Sequence, residues 1–425
     1  MTVPTPEYGW YGDDFTGATD TLAELSRRGM RALLFLSVPE AGRLERAGPL
    51  DALGIAGASR AMAPAEMAAE LEAVGGFFQS LGVRAMHYKC CSTFDSAPEV
   101  GSIGAAVGTL RRFFPNPFRP IIGGQPNLGR YLIFGNLFAA AGTGGAVHRL
   151  DRHPTMRFHP VTPMVEADLR LHFAAQGLVA ADLAYPTYDL DGSALEVALD
   201  GLLAAAPDAV LLDVSRTEDL SVIGRLLHGR ARQAPLLAIG PSSVAQAWCA
   251  DRVGDVSGGI LRPKPGPVLV LAGSLSPITR RQVDESRGYR HRSVDPGRLA
   301  ADSAYTEAVT NEACRLLNNG EDVLIVTERP EVATLKAGVA AEATAALLGR
   351  IVSRRPVRRL GIAGGDTSSL GARALDLWGL SHSGAIAPGV TLCRGHSDDP
   401  ALDGIEIMLK GGQMGPPDLL ERFRA

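Results

Sequence analysis

Cysteine is scarce and scattered in this 425-residue chain: Cys90, Cys91, Cys249, Cys314 and Cys393 form an odd set with one adjacent pair and no C-x-x-C spacing. That pattern argues against a disulfide framework and against a zinc knuckle. Buried free thiols are the expected reading, with a reactive thiol at Cys90 or Cys91 as the alternative because both fall beside a polar segment. Long apolar runs are missing too. No stretch approaches the roughly 20 uninterrupted residues a membrane helix requires, and the polar, proline-containing start Met1 to Glu7 is unlike a signal peptide. The cytoplasm is therefore the expected compartment. Neither sign of charge prevails: 42 Lys and Arg against 46 Asp and Glu leave a formal charge of -4, which gives no reason to expect nucleic acid or an anionic membrane as partner. Signature loops are lacking as well. Without a G-x-x-x-x-G-K-[ST] loop, a G-x-G-x-x-G turn or a G-x-S-x-G elbow, the sequence speaks against P-loop folds, nicotinamide-dependent oxidoreductases and serine hydrolases.

What is present is an ordinary globular composition, 46% hydrophobic and 21% charged, at a length where a single core stops growing and two domains are natural. Arg31 to Leu36, Leu53 to Ala56, Ala85 to Lys89, Ala209 to Leu212 and Leu236 to Ile239 read as strands. Pro64 to Leu81 and Leu220 to Arg230 read as helices. The alternation predicts a parallel sheet covered by helices. The strongest breaker run, Gly254 to Gly266, marks a boundary between an N-terminal domain, 1–253, and a C-terminal one, 267–425. Beyond it Val268 to Leu271, Asp322 to Val326 and Arg359 to Ala363 are near-continuous apolar strands of the buried parallel type, and the Ala-rich tract Ala340 to Leu348 is a helix. The expected fold class is α/β: two α/β domains with mainly parallel sheets.

The most informative segment is Tyr11-Gly12-Asp13-Asp14-Phe15-Thr16-Gly17-Ala18, where a strand hands over to a helix, the place where open α/β sheets bind ligands. Two adjacent carboxylates there can divide roles, one accepting a proton from a substrate hydroxyl while the other orients it or holds magnesium. Asp14 is the expected base; helix capping accounts for one carboxylate and poorly for two. His87 to Ser96 passes from a strand into a polar turn, and Lys89, Ser92 and Thr93 could engage a polyhydroxy acid. Arg60 follows a strand in the same domain and could grip a carboxylate in bidentate fashion. His148 to His159 gathers three histidines with Arg149, Arg152 and Arg157. Its spacing matches no H-x-x-x-H pair and its cations disfavour a metal, so the readings are a loop bringing positive charge to an anion or a surface loop stapled by prolines. Late in the chain Gly273-Ser274-Leu275-Ser276, with Pro277 in a favoured first-turn position, and Gly364-Gly365-Asp366-Thr367-Ser368-Ser369 each follow an apolar strand and open a helix. Together they suggest a phosphate cradle.

With Gly12 to Ala18, Lys89 through Ser92-Thr93, Gly273 to Ser276 with Thr279 and Gln282, Gly364 to Ser368, and Lys410-Gly411-Gly412-Gln413-Met414-Gly415 in this order, the chain resembles the four-carbon acid sugar kinase family. Its members phosphorylate threonate, erythronate or oxo-tetronate with ATP. The resemblance implies an N-terminal sugar-acid domain, a C-terminal nucleotide domain and an active site in the cleft between them. ATP contacts are expected at Ser274, Ser276, Gly364, Gly365, Asp366, Thr367, Gly411 and Gly412, with Mg2+ as cofactor and no confident metal ligand from the protein. Asp14 would be the base and Asp13 the orienter, with Arg60, Lys89 and Arg130 on the substrate carboxylate, while a homodimer stays open. Where many members continue the Lys-plus-Ser-Thr segment with arginine and glycine, this chain has Phe94-Asp95-Ser96, a changed charge that bears on substrate identity. A sensor without turnover, built on a degenerate kinase, is the alternative.

Overall fold

The computed structural model describes residues 5–142, 144–252, 254, 265–274, 276–328, 337–387, 389–412 and 414–425. It divides into two compact units, the first formed by 1–33 and 37–256, the second by 34–36 and 257–425. The breaker run Gly254 to Gly266 lies largely outside the described residues. Among the described residues no helix is long and apolar enough to cross a membrane.

The first eleven strands are β1 (Tyr8–Gly12), β2 (Ala32–Phe35), β3 (Ala52–Ala56), β4 (Ala85–Lys89), β5 (Pro120–Ile122), β6 (Arg130–Ile133), β7 (Asn136–Ala140), β8 (Val147–Arg149), β9 (Ala180–Leu183), β10 (Ala209–Leu212) and β11 (Leu236–Gly240). In the first unit seven of them run parallel in the order β3-β1-β4-β11-β5-β10-β9. Every residue of β1, β3, β4 and β11 is buried, as a sheet covered on both faces demands. The polar atoms inside find partners: Tyr8 donates its hydroxyl to His87 Nδ1 at 2.8 Å, and His87 Nε2 donates to the Gly240 carbonyl at 2.9 Å. Burial holds that imidazole at about 3, so it is neutral and structural. The helix Pro64–Leu81 has proline in its first turn and ends at Gly82 in the left-handed region, a start and stop the sequence itself announces.

A feature without a sequence signal is the antiparallel sheet β6-β7-β8. Its first hairpin turns through Phe134 at φ 49° and Gly135 at φ 74°, and a phenylalanine there gives no hint of such a turn.

The second unit contains β12 (Val268–Ala272), β13 (Arg290–Val294), β14 (Val323–Thr327), β15 (Arg359–Ala363), β16 (Gly379–Ala387), β17 (Val390–His396) and β18 (Glu406–Lys410). Their order is β13-β14-β12-β15-β18-β17-β16. The first five pair in parallel, whereas β17 and β16 are antiparallel additions. Leu34 and Phe35, counted with this unit, pair antiparallel with Leu380 and Gly379. Val270, Leu324, Met408 and Phe423 lie in its core.

Both units place their chemistry by the same topological rule. After β1 the chain moves to one side of the sheet and after β4 to the other, although β1 and β4 are neighbours. In the second unit β12 and β15 are such a pair. A crevice opens outside the carboxyl ends of strands whose connections diverge.

Candidate functional site

In the first unit Gly12 pairs with both Ala56 and Lys89, so the segments leaving β1, β3 and β4 emerge side by side. Asp14 caps the helix Phe15–Arg27: Oδ1 accepts from the Gly17 amide at 2.6 Å and Oδ2 from the Thr16 hydroxyl at 3.1 Å. Arg60, in the short turn Ser59–Ala61 after β3, spans both carboxylates. Its Nε and Nη2 donate to Asp13 at 3.2 and 2.9 Å, and Nη1 lies 2.8 Å from Asp14 Oδ2. Lys89 is buried at the end of β4, with its ammonium on the Cys90 carbonyl at 2.8 Å. It also flanks Asp14, since a Cβ on Gly17 would meet Lys89 Nζ at 2.5 Å and Asp14 Oδ1 at 2.6 Å.

This geometry separates two chemically identical groups. Burial pushes Asp13 up to about 6, against the pull of Arg60 and with the Asp14 charge adding to the rise. Burial would raise Asp14 too, but Arg60, Lys89 and the Gly17 amide outweigh it and hold its carboxyl below the ordinary aspartate value. Asp14 therefore stays ionised as cap and counter-ion, while Asp13 retains proton affinity near neutrality. Adjacent acids driven apart in this way are how a site divides acid and base roles. The Arg60 fork is taken up by the chain's own carboxylates in three contacts, so its geometry is that of a counter-ion for the pair rather than of a clamp open to substrate.

The turn after β4 faces the same cations. Thr93 donates to Asp95 Oδ1 at 2.5 Å, Asp95 is 6% exposed, and Cys91 and Asp95 both act electrostatically on Arg60. Ser92 is half-buried in that turn. Burial, aided by Asp95, pushes the Cys91 thiol up to about 11, and burial also raises Cys90 far above its usual value. Both thiols therefore remain protonated and inert. Arg130, half-buried at the start of β6, donates Nη1 to the Leu128 carbonyl while its Nε has no partner. Cys91 is within its electrostatic reach, which puts Arg130 beside the same turn. The His148 to His159 segment is a stapled loop: His153 Nδ1 accepts from the Thr155 and Met156 amides at 3.1 Å, and Arg149 and Arg152 pair with Asp151.

In the second unit the loops after β12, β15 and β18 lock together. Gly273 and Ser274 donate their amides to the Ala363 carbonyl at 2.9 and 3.0 Å, and the Gly364 amide donates to the Lys410 carbonyl at 3.0 Å. Ser276 caps the helix Pro277–Glu285 through the Thr279 amide at 3.1 Å and donates its hydroxyl to the Gly412 carbonyl. Lys410, fully buried, reaches Thr279 Oγ1 at 2.9 Å and the Gly411 carbonyl at 3.1 Å. Burial lowers its ammonium to about 8. This cation under the loops has no sequence signal of its own, because nothing in a lysine followed by two glycines says it will point inward.

The close approach of the loops requires glycine. A Cβ on Gly273 would sit 2.2 Å from Thr367 Oγ1 and 2.8 Å from Thr367 Cβ, and Gly364 has φ +132°, a conformation other residues avoid. The first-turn amides of the helix Gly365–Arg373 lack intrahelical acceptors by construction, which is what a phosphate would use. The side chain of Asp366 lies outside the described residues. Gly273→Ala is expected to displace Thr367, to destabilise by about 1–3 kcal/mol as overpacked sites do, and to raise the KM for nucleotide while leaving that for the acceptor unchanged. Steady-state kinetics with each substrate varied in turn checks this. Beside Ser274, at the carboxyl ends of β12, β13 and β14, lies a cavity of about 480 Å³. Apart from Ser274, its lining residues belong to none of the segments that the sequence marks as candidate sites.

The chain matches family models described as a sugar-binding N-terminal domain over residues 8–248 and a nucleotide-binding C-terminal domain over 269–420. It is 36% identical to a 3-oxo-isoapionate kinase of Paraburkholderia graminis, across 96% of this chain and 91% of that one. It is 31% identical to a 3-oxo-tetronate kinase of Methylobacterium radiotolerans, across 97% of each. A solved Salmonella typhimurium structure, described as a candidate tRNA synthase, superimposes with a TM-score of 0.80 at 27% identity over 98% of both chains. With its sugar-binding and nucleotide-binding halves in this order, the chain belongs to the four-carbon acid sugar kinase family.

Proposed function

We propose that this kinase transfers the γ-phosphoryl group of ATP to a terminal hydroxyl of a four-carbon sugar acid, with Asp13 rather than Asp14 taking the hydroxyl proton. The observation that carries the reading is the pair of adjacent buried carboxylates around one guanidinium, with proton affinities driven apart. In the step, the substrate O–H gives its proton to Asp13, its oxygen bonds to the γ-phosphorus, and the bond from that phosphorus to the β-phosphate oxygen breaks to release ADP. Such a transfer relies on positioning and charge stabilisation more than on covalent chemistry. Lys89 and Arg130 hold the substrate carboxylate, Arg130 having a buried Nε without partner, and Ser92 and Thr93 line the turn beside it. Ser274, Ser276, Gly364 to Thr367, Gly411 and Gly412 form the phosphate cradle above Lys410.

Mg2+ arrives with the nucleotide's phosphates. The Asp13–Asp14 pair does not suit a cation site of its own, because Arg60 already stands between the carboxylates. Among the described residues no group of three His, Cys, Asp or Glu is placed to hold a metal ion.

The test is ADP release from Mg-ATP against threonate, erythronate, 3-oxo-tetronate and 3-oxo-isoapionate, with an acid-free control and a chelator control. The two 3-oxo acids belong on the panel because the relatives' names carry them. Turnover with one acid, lost on chelation and restored by magnesium, supports the reading. A silent panel in a protein that still binds ATP would point to a sensor.

A further inference from the structure

Arg130 is carried by a hairpin that lies outside the main sheet of the first unit, so its place depends on what ties that hairpin down. Two anchors hold it to β10. Leu132 and Val214 exchange backbone hydrogen bonds in both directions, at 3.0 and 3.1 Å. Asp213, the residue after β10, is fully buried and takes the turn itself: Oδ2 accepts from the Phe134 amide at 2.7 Å and Oδ1 from the Gly135 amide at 3.1 Å. Oδ2 also accepts from the Tyr185 amide at 3.2 Å, and the Tyr185 ring packs on that of Phe134 with centroids 5.3 Å apart.

This clamp carries two unfavourable terms. Burial raises the Asp213 carboxyl against the pull of its three amides, and Phe134 sits at φ 49°, in the left-handed region where a phenylalanine is strained. Strained residues persist where the surroundings over-determine them, and they gather at functional sites. The other end of β6 supplies the function here. The strand is four residues long, from Arg130 to Ile133, about 13 Å, so a tilt at the turn is passed on to Arg130. The Arg130 backbone pairs with Gln125 and Ala139. Its Nε is buried without a partner, and among the described residues no carboxylate acts on its guanidinium.

We propose that Asp213 is a positioning residue for the acceptor: by clamping the Phe134–Gly135 turn it fixes how β6 lies on the end of β10, and so holds Arg130 in place for the substrate carboxylate. This rests on the reading of Arg130 as a holder of that carboxylate. An apolar side chain at 213 would leave three backbone amides without their acceptor and free the turn to relax. Asp213 itself touches no substrate, and its influence on the reaction runs through Arg130.

Steady-state kinetics of the full-length protein with Mg-ATP and 3-oxo-tetronate or 3-oxo-isoapionate, each substrate varied in turn, tests it on wild type, Arg130→Ala, Asp213→Asn and the double variant. Asparagine keeps the shape of Asp213 but turns an NH2 toward an amide that needs an acceptor. Arg130→Ala is expected to raise the acceptor KM by roughly 10- to 100-fold, the worth of a hydrogen bond to a charged group. Asp213→Asn is expected to raise it by roughly five- to ten-fold, because Arg130 then stands in place in a correspondingly smaller fraction of molecules. The KM for ATP should not move, and kcat should stay within about twofold, the signature of lost binding rather than lost chemistry. In the double variant the acceptor KM should equal that of Arg130→Ala alone, since the clamp has nothing left to position. A wild-type acceptor KM in Asp213→Asn, or factors that multiply in the double variant, would overturn the proposal. Gly135→Ala serves if Asp213→Asn does not fold: at φ +74° its Cβ would meet Arg170 Nε at 2.9 Å, so it bends the same turn while leaving Asp213 intact, and its effect on the acceptor KM must likewise vanish beside Arg130→Ala. An unchanged acceptor KM in Arg130→Ala, or a wild type that turns over neither acid, is instead a failure of the acceptor reading itself and takes this proposal with it.

Discussion

Asp13→Asn is expected to lower kcat by roughly 100- to 10,000-fold, the range a positioned general base supplies, and to remove the acid limb of the pH profile. In wild type kcat/KM should fall about tenfold per pH unit below about 6, because Asp13 must be ionised to accept the hydroxyl proton and burial holds it near that value. The asparagine keeps the shape of the site and can still accept from Arg60, so the protein should remain folded with nucleotide affinity nearly unchanged. Asp14→Asn separates the two carboxylates. Asparagine is as good a helix cap as aspartate, so the helix Phe15–Arg27 keeps its start. Because the Asp14 charge contributes to the raised proton affinity of Asp13, its removal should move the acid limb to lower pH rather than abolish it. An acid limb that survives in Asp13→Asn and disappears in Asp14→Asn would assign the base to Asp14 instead.

The second large effect is on stability. Arg60→Ala leaves two adjacent carboxylates, with side chains 7% and 13% exposed, without their shared counter-ion. Removing one partner of a buried ion pair costs about 3–5 kcal/mol because the remaining charge stays desolvated. At roughly 2–4 °C per kcal/mol for a unit of this size, Tm should drop by on the order of 10 °C. The sign of the pH dependence follows from the same charges. Without Arg60, burial and the neighbouring Asp14 charge raise Asp13 further above its unfolded value, and Asp14 loses one of the groups that hold it low. A carboxyl raised in the folded state contributes stability at low pH that is lost as pH rises through its folded value. The deficit should therefore be small near pH 5 and largest near pH 8, as thermal melts across that range would report. Arg60→Lys should recover only part of it, since an ammonium is a point charge that cannot span two carboxylates in a fork. A pH-independent deficit would mean that Arg60 acts through packing alone.

The elements the sequence made legible are those written in local periodicity. Ala85 to Lys89, Ala209 to Leu212, Arg359 to Ala363 and the helix Pro64 to Leu81 stand where their apolar runs and breakers put them, because strands buried on both faces are rich in apolar residues. The sheet β6-β7-β8 and the antiparallel strands β16 and β17 were not legible. Their residues mix polar with apolar types without a clean alternation, and the turn of the first hairpin carries no turn-forming signal at Phe134.

Residue types at strand ends were enough to mark Asp13, Asp14, Arg60, Lys89 and the glycine turns, and their order along the chain was enough to place the protein in its family. Those are local properties: a glycine that alone tolerates a backbone angle, a carboxylate that opens a helix, a serine that caps one. What each group does was left to tertiary structure. Whether Asp13 or Asp14 binds a proton near neutrality depends on the burial of each and on an arginine 47 residues from the first of them, and neither is encoded next to the pair. That Arg60 spans both carboxylates follows from β1 and β3 lying side by side, which brings it against the two at once. The cavity beside Ser274 is assembled from three strand ends and a helix. Its residues lie far apart in the chain, so only the fold could reveal them.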